Sequence, residues 1–89
     1  MNKEQAIRTA ELNIKTKQEK GKHYLYVYED GTNQRIELLD KKSTVWLSGL
    51  YKIQMTLKLM KQPESVISQA CVQYSNYEDY GRMWTRFII

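Results

Sequence analysis

Near neutral pH only two side chains in this sequence could act as a general base or a soft nucleophile, His23 and Cys71, and each type occurs once. His23 opens an alternating strand pattern, whereas Cys71 lies on the apolar face of a helical one. The pair is therefore not preassembled by local spacing, and one Cys with one His cannot complete a soft zinc site in a single chain. Glu78 and Asp79 are adjacent, so their carboxylates point apart on any regular element and do not form an acid–base pair. Gly21, Gly31, Gly49 and Gly81 are isolated and make no phosphate-cradling loop. No catalytic residue, metal ligand or cofactor is assigned, and an enzyme is the weakest class.

The tyrosines are more informative. There are seven in 89 residues, and tyrosine suits a position where one end of the ring is buried and the other stays wet. His23 to Glu29 alternates strictly, and Asp30-Gly31 follows, a pair suited to a type I′ turn because both central residues need positive φ. A two-residue loop pairs Glu29 with Thr32, Val27 with Gln34, Leu25 with Ile36 and His23 with Leu38, and these make an inner face. The other face then carries Tyr28 opposite Asn33, Tyr26 opposite Arg35 and Tyr24 opposite Glu37. Such a row packs under a helix or a second chain, or it stands open as an aromatic platform.

The expected partner-binding residues are Tyr24, Tyr26, Tyr28 and Arg35, with a second aromatic and basic group in Tyr77, Tyr80, Arg82, Trp84 and Arg86. In the alternative reading, single-stranded nucleic acid stacks on the tyrosines while Lys15, Lys17, Lys20, Lys22 and Arg35 neutralise phosphates, with Tyr26 the central ring.

Those groups need elements to position them. Asn2 and Gln5 read as the capping box of a first helix, whose apolar stripe is Ile7, Ala10 and Ile14, with Leu12 off it. Gly21 reads as its C-terminal stop, the nearby lysines suiting the helix dipole. Between Ser43 and Gln62 two periods compete. Trp46, Leu50, Ile53, Leu57 and Met60 step as a helical seam widened by Leu47 and Tyr51, yet Tyr51, Ile53, Met55, Leu57 and Leu59 alternate as in a strand. Helix is favoured because Leu, Met, Lys and Gln form helices well and β-branched residues are sparse. Ser43 serves as its N-cap, and Met55 and Leu59 project from the side opposite the seam.

Pro63 ends that element, and Pro63-Glu64 starts another helix with Val66, Ile67, Ala70, Cys71 and Tyr74 on its apolar face. Met83 to Ile89 reads as a closing strand, its rival being one long helix through Tyr77, Gly81 and Trp84.

Length allows one compact domain over residues 1–89, because a chain this short buries only about 60–65% of its unfolded surface. The expected class is α+β: an N-terminal helix, a β-hairpin, one or two further helices and a C-terminal strand completing a small antiparallel sheet. No apolar run approaches a membrane span and the N-terminus is charged, so no membrane is implied and the cytoplasm is the default compartment. Fourteen Lys and Arg against ten Asp and Glu leave a net charge of +4, light for a nucleic-acid domain.

Met55, Leu59 and the terminal Phe87-Ile88-Ile89 look like more apolar surface than one small domain covers, which a homodimer would relieve. A compact chain without cofactor motifs but dense in aromatic residues has the character of small accessory or inhibitor proteins, many of them encoded by phages and other mobile elements. The expectation is a non-enzymatic protein that docks on a larger protein or ribonucleoprotein in an anti-defence or regulatory role.

Overall fold

The structure is a computed structural model that describes residues 1–76. In chain order it holds α1 (Lys3–Asn13), β1 (Ile14–Glu19), β2 (Lys22–Glu29), β3 (Thr32–Leu38), α2 (Lys41–Leu59) and α3 (Glu64–Ser75). The strands form an antiparallel sheet in the order β1-β2-β3, giving a small α+β domain. The expected Met83–Ile89 strand lies outside the described residues, as do Phe87-Ile88-Ile89, Glu78-Asp79 and Gly81. Among the described residues the third strand of the sheet is β1, which precedes the hairpin. α3 ends at Ser75 with Asn76 as its C-cap.

The start of the chain behaves as its side chains require. Asn2 Oδ1 accepts the Gln5 amide at 2.9 Å, and Gln5 Oε1 accepts the Asn2 amide at 3.3 Å, so two orphan donors of α1 are satisfied reciprocally. The helix does not run on to Gly21, however. It stops at Asn13, and Ile14 already has extended backbone with φ −122° and ψ 115°. Lys20 and Gly21 are the two loop residues of a hairpin, with φ of 50° and 78°, so Gly21 ends no helix and the lysines face no helix dipole. Hairpin pairing with β2 overrides the helix propensity of Lys, Gln and Glu in Ile14–Glu19.

The β2–β3 hairpin has the expected register at every pair from His23↔Leu38 to Glu29↔Thr32. Asp30 and Gly31 carry φ of 49° and 77°, the two positive values of a type I′ turn. Backbone bonding alternates along an antiparallel pair. The two loop-closing pairs, Glu19↔Lys22 and Glu29↔Thr32, set that alternation for both ladders. His23, Leu25, Val27 and Glu29 thus bond across to β3, while Lys22, Tyr24 and Tyr26 bond to β1.

α2 is one helix with two buried sides. Its N-cap is Asp40, not Ser43: the Ser43 amide donates to Asp40 Oδ1 at 2.7 Å, and Asp40 keeps the extended φ of −160° that a cap needs. Leu47, Tyr51, Met55 and Leu59 meet the sheet, in a core with Ala10, Ile14, Leu25 and Val27. On the other side Trp46, Leu50, Ile53 and Leu57 meet Ile7 of α1 and Ala70 and Tyr74 of α3. Met55 and Leu59 are therefore covered within the chain and give no argument for a dimer.

At its C-terminus the Gln62 amide donates to Leu57 O and the Lys61 amide to Lys58 O, each at 3.0 Å. Lys61 takes φ 58°, which makes this a Schellman stop. Pro63 is the N-cap of α3 and Glu64 lies in its first turn.

α3 rests on α2 through a close approach. Tyr74 is fully buried, its hydroxyl donates to Trp46 O at 2.9 Å, and its ring lies 6.2 Å from that of Trp46. A Cβ at Gly49 would run into the Tyr74 hydroxyl and stand 2.8 Å from its ring carbon Cζ. Glycine in mid-helix is what lets the tyrosine lie down on α2. Of the expected apolar face of α3, Ala70 and Tyr74 are buried, Ile67 and Cys71 half-buried, and Val66 exposed.

Candidate functional site

The outer face of the sheet is built by strand alternation alone. Even-numbered residues of β2 and odd-numbered residues of β1 and β3 share it, so three cross-strand rows form. Lys15, Tyr26 and Arg35 make one row, Lys17, Tyr24 and Glu37 the next, and Glu19 with Lys22 the third. Tyr28 and Asn33 extend the face toward the Asp30-Gly31 turn. The described helices all lie away from it: α1 and α2 cover the inner face, and α3 packs on α2.

The tyrosines form a ladder. Ring centroids of Tyr24 and Tyr26 are 6.5 Å apart, as are those of Tyr26 and Tyr28, with planes tilted by 55° in the first pair and by only 13° in the second. The spacing follows the two-residue repeat of a strand, about 6.6–6.8 Å. Arg35 is opposite Tyr26 but leans along the sheet, placing its guanidinium carbon 4.9 Å from the Tyr24 ring centroid, within reach of a cation–π contact. Tyr24 and Tyr26 are half-buried by such neighbours, and Tyr28 is exposed.

Charge on this face is largely paired within it. Lys17 Nζ stands 2.7 Å from Glu19 Oε1, and Lys22 Nζ stands 3.3 Å from Glu37 Oε1. The hydrogen bond to Lys17 holds the Glu19 carboxyl below the ordinary carboxylate range, and Glu19 raises the Lys17 ammonium by the same bond. These exposed pairs contribute little stability. Their effect is to fix a pattern of charge around the rings: four cations, Lys15, Lys17, Lys22 and Arg35, with two anions, Glu19 and Glu37.

The expected group Tyr24, Tyr26, Tyr28 and Arg35 is thus brought together. Tyr77, Tyr80, Arg82, Trp84 and Arg86 lie outside the described residues. Of the lysines, Lys15, Lys17 and Lys22 join the tyrosine face, and Lys20 sits in the turn beside it. In the alternative sequence reading these lysines stand beside the tyrosines but at a helix end rather than on a strand, and Glu19 is not singled out. The signal was the alternation Ile14, Thr16 against Lys15, Lys17, Glu19, short enough to be hidden by helical spacing.

His23 is half-buried on β2 and lines an open depression of about 370 Å³ with Gly21, Lys22, Glu37, Leu38 and Leu39. Cys71 is half-buried on α3, so the two are not brought together. Among the described residues no three His, Cys, Asp or Glu side chains gather as a metal site, and no helix is long and apolar enough to cross a membrane.

A second depression, about 400 Å³, lies between the end of β2, α2 and the start of α3. Lys58 and Glu29 lie on its lining as an exposed ion pair at 2.7 Å, with Met55 and Ile67 at its apolar part. No protein-family model, curated protein or solved structure matches this chain.

Proposed function

We propose that the protein is a non-enzymatic binding protein that docks its tyrosine-bearing sheet face on a larger protein or ribonucleoprotein, in the manner of an inhibitor or accessory factor. The observation that carries this reading is the Tyr24-Tyr26-Tyr28 ladder on the face opposite the described helices. Tyrosine and arginine supply large, rigid contact area and dominate binding hot spots. With four cations against two anions around the rings, the complementary surface is acidic, with apolar or planar groups to lie on the tyrosines.

A second reading, a single-stranded nucleic-acid platform, draws support from Lys15 and Lys17 flanking the ladder on β1. It ranks lower because Lys17 and Lys22 already hold carboxylates and Arg35 already covers a ring.

Two measurements test the assignment. The bound fraction captured from a host lysate by the wild-type chain is compared with that captured by a folded Tyr24, Tyr26 and Tyr28 triple-alanine variant; proteins lost from the variant support docking through this face, and identical capture removes it. Binding to a generic single-stranded oligonucleotide is then followed against salt. A steep salt slope that disappears in Y26A and R35A transfers the assignment to nucleic acid, since phosphate neutralisation releases counterions.

A further inference from the structure

Among the described residues nothing pairs with the outer edge of β3. The ladder alternation turns the backbone groups of Thr32, Gln34, Ile36 and Leu38 toward β2 and those of Asn33, Arg35 and Glu37 away from it. Such an edge is a template for another strand. It is also accessible, since Thr32, Asn33, Gln34, Arg35 and Glu37 are exposed and Leu39 at its end is 96% exposed.

We infer that this edge pairs antiparallel with β3 of a second copy of the chain, joining two three-stranded sheets into one. Charge selects the register. Outward backbone groups must meet outward ones: opposite Asn33 of the second copy Arg35 gains no counter-charge, which leaves Arg35, Glu37 or Leu39. The first choice sets two guanidiniums against each other, and the last sets Glu37 against Glu37. In the middle register Arg35 faces Glu37 of the second copy, and symmetry repeats the pair. Ile36 then meets Ile36 at the twofold axis, with Gln34 beside Leu38 on either side.

Opposite charges across a strand pair are favourable and like charges are not. Glu37 can keep Lys22 at 3.3 Å and still offer its second oxygen.

The β1 edge lacks this property. Its outward groups belong to Ile14, Thr16 and Gln18, and of the two registers of longest overlap one sets Lys15 against Lys17 twice, while the other brings Lys15 opposite Glu19 but still sets Lys17 against Lys17, so neither is free of like-charge contact. Lysines thus guard one edge while the other is self-complementary. A twofold axis normal to the sheet leaves both tyrosine faces on the same side, doubling the surface described above. The dimer itself does not depend on those rings.

Sedimentation over a concentration series tests the pairing with the full chain, far-UV circular dichroism showing that each variant is folded. The wild type is expected to dimerise. R35E places carboxylates against carboxylates and E37R places guanidiniums against guanidiniums, so each alone weakens self-association by roughly tenfold or more. An equimolar mixture of R35E and E37R chains restores both opposite-charge pairs and is expected to form a heterodimer. A wild-type chain that stays monomeric, a dimer indifferent to both variants, or folded single variants that fail to associate when mixed would each overturn the proposal. Y26A should dimerise like the wild type.

Discussion

The two faces of the sheet are built from alternate residues of the same strand, yet they do different work. On β2, Leu25 and Val27 point inward and are buried, Leu25 completely, while Tyr24 and Tyr26 between them are half-buried and Tyr28 is exposed at 39%. Both sets are apolar in bulk. The inward pair has no polar atom and meets Ala10, Ile14 and Met55, so its burial is a source of folding energy, about 1.5–3 kcal/mol for a fully buried leucine. The outward tyrosines carry hydroxyls and sit among charges, which lets large rings stay partly open to water. Alternation therefore separates a buried apolar face from an open tyrosine face within eight residues.

Leu25→Ala is the strongest way to break that separation. Removing a fully buried leucine from the core should cost about 2–5 kcal/mol in urea denaturation, enough to unfold a small domain in part. Tyr26→Ala, one residue along, should cost only about 1–2 kcal/mol through its lost ring contacts and act chiefly on binding. Should the two substitutions cost alike, the tyrosine face is a covered one and the docking assignment fails.

Gly49→Ala carries the comparison into the helix layer, where the question is how tightly α3 is held. The added methyl has no room beside Tyr74, and the obstacle is a buried, hydrogen-bonded ring rather than a flexible chain end. We expect a loss of about 1–3 kcal/mol with α3 displaced, seen as faster amide exchange in Ala70 and Tyr74 while Leu25 and Val27 stay protected. Equal loosening of the sheet would mean that α3 and the sheet core form one cooperative unit.

How much of this could be read from the sequence is clearest at the two turns, which have nearly the same backbone. Asp30-Gly31 has φ of 49° and 77°, Lys20-Gly21 of 50° and 78°. The first was legible because Asp-Gly favours positive φ at both places and the flanking residues alternate without interruption, so strands, register and outward tyrosines followed together. The second was hidden because lysine is unfavourable there, and Lys15, Lys17, Gln18, Glu19 and Lys20 are good helix formers. β1 exists because β2, just across the two-residue loop, offers it a partner, and the propensities of its own residues do not display that pairing.

The same blindness misplaced Lys15 and Lys17, two of the four cations on that face. α2 was legible as a helix, but assigning its second apolar side to the sheet required knowing that the sheet lay there.

Lys20→Asn follows from that contrast. It gives the second turn the chemistry that suits its conformation, and relief of the left-handed strain should stabilise the fold by about 0.5–1 kcal/mol. The gain should appear as slower exchange at Tyr24 and Tyr26, whose amides bond to β1, with His23 and Leu25 less changed. A neutral or destabilising effect would mean that the Lys20 side chain holds the β1 edge in a way its backbone strain conceals.

Acid separates the two faces by a smaller margin. Asp40 and Glu19 both have carboxyls held below the ordinary range, Asp40 chiefly by the Ser43 backbone amide and Glu19 by the Lys17 side chain. A lowered folded pKa means that each contributes stability above its unfolded pKa, about 4, and loses it as pH falls through the folded value. The Asp40 partner is fixed in the first turn of α2, so its protonation removes a helix cap. The Glu19 partner is a flexible, exposed lysine, so its protonation chiefly leaves the tyrosine face more positive.

Stability measured by urea at pH 5, 3 and 2 should therefore fall in the wild type and fall less in D40N, whose amide oxygen still caps without titrating. E19Q should leave the stability curve almost unchanged while making binding to an acidic surface tighter at pH 7. If E19Q flattened the curve as D40N does, the open face would be contributing to the fold after all, and the division of labour between the two sides of β2 would not hold.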